Sequence, residues 1–273
     1  MPIIFDGRLG DAGFSAYPSL QANGLVVSGS SSPNGIANRI DIASDPLGSG
    51  ERVAQFTLYE SDPPTAGTSS RRSEIRGPTQ DPAGTEYWAM WSYLFPGVWA
   101  DVRSGFSWMQ WHDIPDGGDP SPGKPPPLLG VRAGNGLGQI NASYHEDPVN
   151  PPLSDFVRRP LTYAWLPSGV WHTFVMRWLM SYTVGVGERE IWQNRRKIFA
   201  EFAQHNSYHD AQGPYFKVGL YNYFSVSGWK RYQGWSKGLV LGTGYSSFDE
   251  FMIACGSSDR ELEGFVTTGV GLG

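Results

Sequence analysis

Three stretches carry chemically able side chains at every second position. In RRSEIRG, Arg72, Glu74 and Arg76 alternate with Ser73 and Ile75. In SWMQWHD, Trp108, Gln110 and His112 alternate with Met109 and Trp111. In GPYFKVGLYNYF, Tyr215, Lys217, Gly219, Tyr221 and Tyr223 alternate with Phe216, Val218, Leu220, Asn222 and Phe224. A strand sends successive side chains to opposite faces, so each stretch has one largely apolar face and one functional face. Guanidinium and amide groups can steady a developing negative charge, and an imidazole or a phenol can move protons. One such strand is an ordinary amphipathic strand with a solvated side. Three of them, this rich in Arg, His, Tyr and Gln, argue for one surface that collects Arg72, Glu74, Arg76, Gln110, His112, Lys217 and Tyr221.

Strands must therefore position the site. GLVVSG, RVAQFTLYE, SEIRGP, EYWAMWSYLF, SGFSWMQWHD, PPLLGVRAG, GQINASYH, TYAWLP, WHTFVMRWLMS, YFKVGLYNYF and SFDEFMIACG all read as strands between Gly, Pro, Asn and Asp clusters. With 35 Gly, 21 Pro and only 17% charged residues, the composition fits many short strands and tight turns. The segment EREIWQNRRKIFAEF admits a helical stripe, but reads better as a hairpin turning at Gln193-Asn194-Arg195. Residues 113–127 and 146–160 are expected to be loops that overhang a groove. The whole predicts an all-β antiparallel sandwich or jelly roll, as a single domain over residues 1–273.

Several function classes lose support. A net charge of −5 argues against a general nucleic-acid binder. No apolar run is long enough to span a bilayer, and MPIIFDGRLGDAGF lacks the pattern of a secretion signal. A single cysteine, Cys255, excludes an intrachain disulfide. Asp113, Asp116 and Asp119 match no standard calcium loop, and His205 and His209 lack the glutamate of a zinc helix. No cofactor is expected, and calcium is unsupported by spacing. AGNGLG at 133–138 lies between two strands and reads as a turn. A G-x-S-x-G elbow is absent, so a serine hydrolase has no support.

The three polar strands resemble a family. Jelly-roll alginate lyases carry an R-(S/T)-E-(L/I/V)-R strand, a Q-(I/V)-H strand and a Y-F-K-x-G-x-Y-x-Q strand in that order. Here stand Arg72-Ser73-Glu74-Ile75-Arg76, Gln110-Trp111-His112, and Tyr215-Phe216-Lys217-Val218-Gly219-Leu220-Tyr221, within a resemblance covering residues from about 50 to 255. Glucuronan and heparin lyases look like relatives of the same architecture. The resemblance implies a concanavalin-like β jelly roll, two antiparallel sheets with a concave groove. Two positions depart from the pattern: Trp111 replaces a small aliphatic residue, and Tyr223 stands where the alginate lyases have Gln, which bears on the choice of sugar.

What the family implies here is β-elimination on a uronate polymer. Abstracting the C5 proton beside a carboxylate piles up negative charge, which Arg72 and Gln110 are suited to steady. The resemblance makes His112 the base and Tyr221 the acid, with one tyrosine doing both jobs for some epimers. Glu74, Arg76, Trp108, Lys217 and Tyr223 are expected to bind the glycan. Two readings stay beside the enzyme: a glycan-binding module without chemistry, and a bacteriophage minor tail protein that contacts a bacterial surface glycan and other virion tail proteins. Arginine outnumbers lysine, as in GC-rich genomes, and the leaderless start suits a virion protein released by lysis. Otherwise the chain would reach an anionic polysaccharide as a mature form or by a route without a signal.

Overall fold

A computed structural model of the chain describes residues 2–9, 14–22, 25–28, 39–62, 64, 70–81, 84–95, 106–112, 114, 116, 129–134, 137–144, 157–222 and 231–256. Within them lie β1 (Ile3–Asp6), β2 (Ser19–Ala22), β3 (Leu25–Ser28), β4 (Ile40–Ser44), β5 (Arg52–Tyr59), β6 (Arg71–Thr79), β7 (Glu86–Leu94) and β8 (Phe106–His112). Next come β9 (Leu129–Gly134), β10 (Leu137–Tyr144), β11 (Val157–Trp165), β12 (Trp171–Leu179), β13 (Gly187–Gln193), β14 (Arg196–Gln204), β15 (Tyr215–Asn222), β16 (Arg231–Gly242) and the helix α1 (Phe248–Ala254). The first sheet runs β14-β13-β12-β7-β16-β5-β4, with β1 also pairing β16; the second runs β11-β10-β9-β8-β15-β6-β2-β3. Every pairing is antiparallel. The last two strands enter the middle of the two sheets, β15 between β6 and β8 and β16 between β5 and β7. This is the expected all-β jelly roll.

The core lies between the sheets. Phe56, Trp91, Tyr93, Phe174 and Trp178 of the first meet Ile75, Trp108, Met109, Trp111, Phe216 and Val218 of the second. Trp91 packs 5.3 Å from Phe216, and Trp111 stands edge-on to Trp178 at 4.7 Å. Burying such rings is the largest apolar contribution a side chain can make, and edge-to-face contacts add to it. It fixes which face of β6, β8 and β15 turns inward, and so which face is left for chemistry.

Two expectations about single elements divide. The hairpin between β13 and β14 is present, with Asn194 at φ 46° and Arg195 at φ 68°. That pair of left-handed residues is what a two-residue type I′ loop needs, and Asn tolerates it well. By contrast, SFDEFMIACG is not a strand but contains α1. Ser247 caps its first turn by accepting from the Glu250 amide, and Phe251 and Met252 bury its inner face against the outer side of the first sheet. Of the expected loops, 157–160 belong to β11, and most of the remainder falls outside the described residues. Asp116 accepts from the Ala211 amide at 3.0 Å, while Asp113 and Asp119 lie outside the described residues. Among the described residues no helix is long and apolar enough to cross a membrane.

Candidate active site

β15 carries the polar row, and its neighbours complete it. On the β6 side Tyr221 stands opposite Arg72, Gly219 opposite Glu74 and Lys217 opposite Arg76. On the β8 side Lys217 stands opposite Gln110 and Tyr215 opposite His112. Phe216, Val218 and Leu220 of β15 are buried in the core, which leaves the alternate residues on the polar face. The rings and cations then stack in two groups. Arg72 lies with its Cζ 4.8 Å above the Tyr221 ring. Tyr215 receives Arg76 at 3.9 Å and Lys217 at 5.5 Å, and its ring stacks on His112 at 5.2 Å and 19°. Cation–π contacts of this kind hold a guanidinium in place while leaving its N–H donors available to a ligand.

Between the two groups lies a buried ionic centre. Glu74 is 2% exposed, Lys217 3% and Gln110 1%. Gln110 Nε2 donates to Glu74 Oε1 at 2.8 Å, and Lys217 Nζ sits 3.6 Å from Glu74 Oε2. Burial pushes the Lys217 ammonium below its usual range; the Glu74 carboxylate opposes this, and Arg72 and Arg76 add to it. β15 comes unusually close to β6 here. Gly219 has φ 149°, and a Cβ on it would collide with the Ser73 carbonyl oxygen and lie 2.6 Å from Glu74 Cα. Tyr93, reaching through from the first sheet, donates to the Gly219 carbonyl at 3.2 Å.

The placement corrects several expectations. Trp108 does not face the row: it is 1% exposed, in the core between Phe95 at 4.4 Å, Tyr93 at 5.6 Å and Phe174 at 6.1 Å. The cause is a register shift against β9, where Ser107 and Met109 pair with successive residues and Trp108 is the extra one; the pairing with β15 is also irregular there, between Val218 and Tyr221. An extra residue in a strand reverses the parity of the residues beyond it, so strict alternation fails at Trp108. Glu74 and Lys217, both expected to bind the glycan, are likewise buried, at 2% and 3% exposed, and form the floor of the row. His112 and Tyr221 share a face, but the register sets them at opposite ends of the row, six residues apart on β15. The residue across from His112 is Tyr215, which the sequence argument does not place in the site. Its signal is nonetheless present: it stands on the same two-residue period as Lys217 and Tyr221. Arg72, Arg76, Gln110 and Lys217 are all brought to the row, and Tyr223 lies outside the described residues.

Comparison with known proteins bears on what this row is. The sequence model of the polysaccharide lyase family matches residues 11–238. A search of the curated proteins gives no match. Among solved structures, an endo-β-1,4-glucuronan lyase from the fungus Trichoderma reesei superimposes with a TM-score of 0.68 at 18% identity, covering 90% of this chain and 97% of that one. A family 7 alginate lyase, solved with its substrate (GGMG) and with one histidine changed to asparagine and one tyrosine to phenylalanine, gives 0.62 at 15% identity, covering 89% and 99%. An alginate lyase from Pseudomonas aeruginosa gives 0.57 at 17% identity, covering 84% and 98%. At such identities the structural likeness speaks for the fold, while the family match spans most of the sequence and all three polar strands. The chain belongs to the polysaccharide lyase family.

Proposed function

We propose that this chain cleaves a uronate-containing glycan by β-elimination on the polar row of β6, β8 and β15. The observation that carries the reading is the register itself, which aligns Arg72 with Tyr221, Arg76 and Gln110 with Lys217, and His112 with Tyr215 on one face. In the reaction a base takes the C5 proton and its electron pair becomes the C4–C5 double bond. The C4–O4 bond breaks, and O4 leaves with a proton from an acid. No water is consumed. Arg72, Arg76 and Gln110 receive the carboxylate as charge builds on it. Arg76 Nε, buried and without a hydrogen-bond partner among the described residues, is a donor that such a carboxylate would satisfy. The scheme asks for no metal, because the protein's own cations meet the charge.

His112 is the base in this reading. The proton for O4 comes from a phenol of β15, and two are placed to supply it. Tyr215 lies across from His112, so the two can act on adjacent atoms of one sugar. Tyr221 lies under Arg72, six residues along β15 from the Tyr215 that stands opposite His112, and in the alternative mechanism carries both proton transfers itself. The register favours Tyr215 for a two-residue mechanism.

The test is incubation with a panel of uronate polymers, with and without calcium, while ultraviolet absorbance from the new double bond is followed. A β-1,4-linked glucuronan comes first, given the relative of TM-score 0.68. Rising absorbance on any polymer is the expected result. A protein that binds one of them and leaves all of them uncut would be a glycan-binding module instead. No observation in the structure favours a virion setting, and the proposal is confined to the enzyme.

A further inference from the structure

We propose that Glu74 is a positioning residue, a carboxylate that does not touch the glycan but holds Gln110 and Lys217 together beneath it. The inference rests on the lyase reading above and goes beyond it by dividing the row into groups that meet the ligand and a group that sets them. Facing what would be an anionic ligand, the Glu74 carboxylate would repel a uronate, whereas the Gln110 amide beside it can donate to one. An ionised carboxylate buried so deeply is costly unless it is paired. Its partners come from one side of β6: Lys217 on the adjacent strand β15 and Gln110 on β8 beyond it. The Gln110 bond therefore passes over the whole width of β15, at the level of Gly219, which has no side chain to block it.

The contact has two consequences. A carboxylate only accepts, so it orients the Gln110 amide with nitrogen toward Glu74 and leaves the second N–H of that nitrogen for a ligand. It also supplies the negative charge that the centre of the row otherwise lacks. The titratable or charged groups around it are Arg72 and Arg76 on β6, Tyr215, Lys217 and Tyr221 on β15, His112 on β8 and Tyr93 on β7. With Glu74 removed, Lys217 would face two guanidinium groups and no counter-ion, and would give up its proton at a lower pH.

The experiment uses Glu74→Gln, which keeps the shape and removes the charge, with Glu74→Asp as the conservative control. On a polymer that the wild type cuts, Glu74→Gln is expected to lower kcat by roughly 10- to 100-fold, the scale of a small misplacement in a site. KM should change much less. The alkaline limb of kcat/KM should move down by about one pH unit or more, as Lys217 loses its partner. Glu74→Asp should recover part of the rate and restore the limb. Should Glu74→Gln fail to fold, the double variant Glu74→Gln with Lys217→Met removes both charges and tests the hold on Gln110: it should lower kcat beyond Lys217→Met alone, and an equal loss would overturn that role. An unchanged pH profile with unchanged kcat, or a loss confined to KM, would overturn the proposal. A wild type that cuts no polymer would defeat the lyase reading separately. In that case a carbon-13 titration of the Lys217 ε-carbon still decides: an unshifted titration in Glu74→Gln sinks the positioning role, and a lowered one sustains it.

Discussion

Trp108→Ala should be among the most damaging single changes in the second sheet, although strict alternation would place this residue at the glycan. The side chain is 1% exposed and wedged against Phe95, Tyr93 and Phe174. Phe95 comes directly after β7, which carries Tyr93, and β12 carries Phe174; both are inner strands of the first sheet, paired on each side. They cannot close the gap without shifting that sheet, so most of the cavity would remain. Removing a large aromatic side chain under those conditions costs about 3–5 kcal/mol. Against a total stability of about 5–15 kcal/mol, that is a large share. With a urea slope of about 3 kcal/mol per molar, the midpoint should fall by roughly 1–1.7 M. Equilibrium urea unfolding followed by fluorescence reads this directly, with Trp111→Ala as the reference, since Trp111 packs on Trp178 at 4.7 Å and on Phe216 at 5.4 Å. The two midpoints should fall together. A Trp108→Ala protein within about 0.5 kcal/mol of wild type, as for a surface change, but with weakened glycan affinity would refute the bulge and the placement built on it.

The same geometry fixes other outcomes. His112→Ala should lower turnover by roughly 10²-fold or more while leaving the fold intact, as for loss of a positioned base. Tyr215→Phe should cost more turnover than Tyr221→Phe; the reverse order, read in the same steady-state assay, would assign both proton transfers to Tyr221. Gly219→Ala should lose about 1–3 kcal/mol from backbone strain alone, and more from the collision with the Ser73 carbonyl, which a thermal melt would register. Ser247→Ala should cost about 0.5–2 kcal/mol through the lost helix cap and leave activity on glycans unchanged.

The class of fold is legible in the sequence because its core strands are short apolar or alternating runs bounded by turn residues. β7 reads as a strand from EYWAMWSYL alone, and the three polar strands declare their two faces before any contact is known. Asn194 and Arg195 mark the tight hairpin. What stays hidden is set by neighbours remote in sequence. β16, a twelve-residue strand in the middle of the first sheet, passes unread because Gly234, Gly238 and Gly242 interrupt its pattern. Those glycines are explained only in three dimensions. A Cβ on Gly234 would strike the Tyr93 phenol, one on Gly238 the Gly7 carbonyl, and one on Gly242 the Tyr245 ring.

The same holds within the site. Residue types and parity place Arg72, Arg76, Gln110, Lys217 and Tyr221 on one face, but parity alone cannot register a bulge, and so it puts Trp108 on the wrong side. Nor does it give depth: Glu74 and Arg72 share a face, yet one is a buried floor and the other half-exposed. Register along β15, not alternation, decides that His112 meets Tyr215. The helix is legible after all, since Ser247 with Glu250 three residues later is a capping signature and Phe248, Phe251, Met252 and Cys255 recur at helical spacing.

The most direct test of the central proposal is the mass and absorbance of the fragments released from a uronate polymer. β-Elimination adds no water, so each cut should leave one new end that absorbs in the ultraviolet and a fragment lighter by one water than its hydrolytic counterpart. The wild type should give such fragments, and His112→Ala should give almost none. Saturated fragments that carry the added water, or a polymer bound and left intact, would contradict the account.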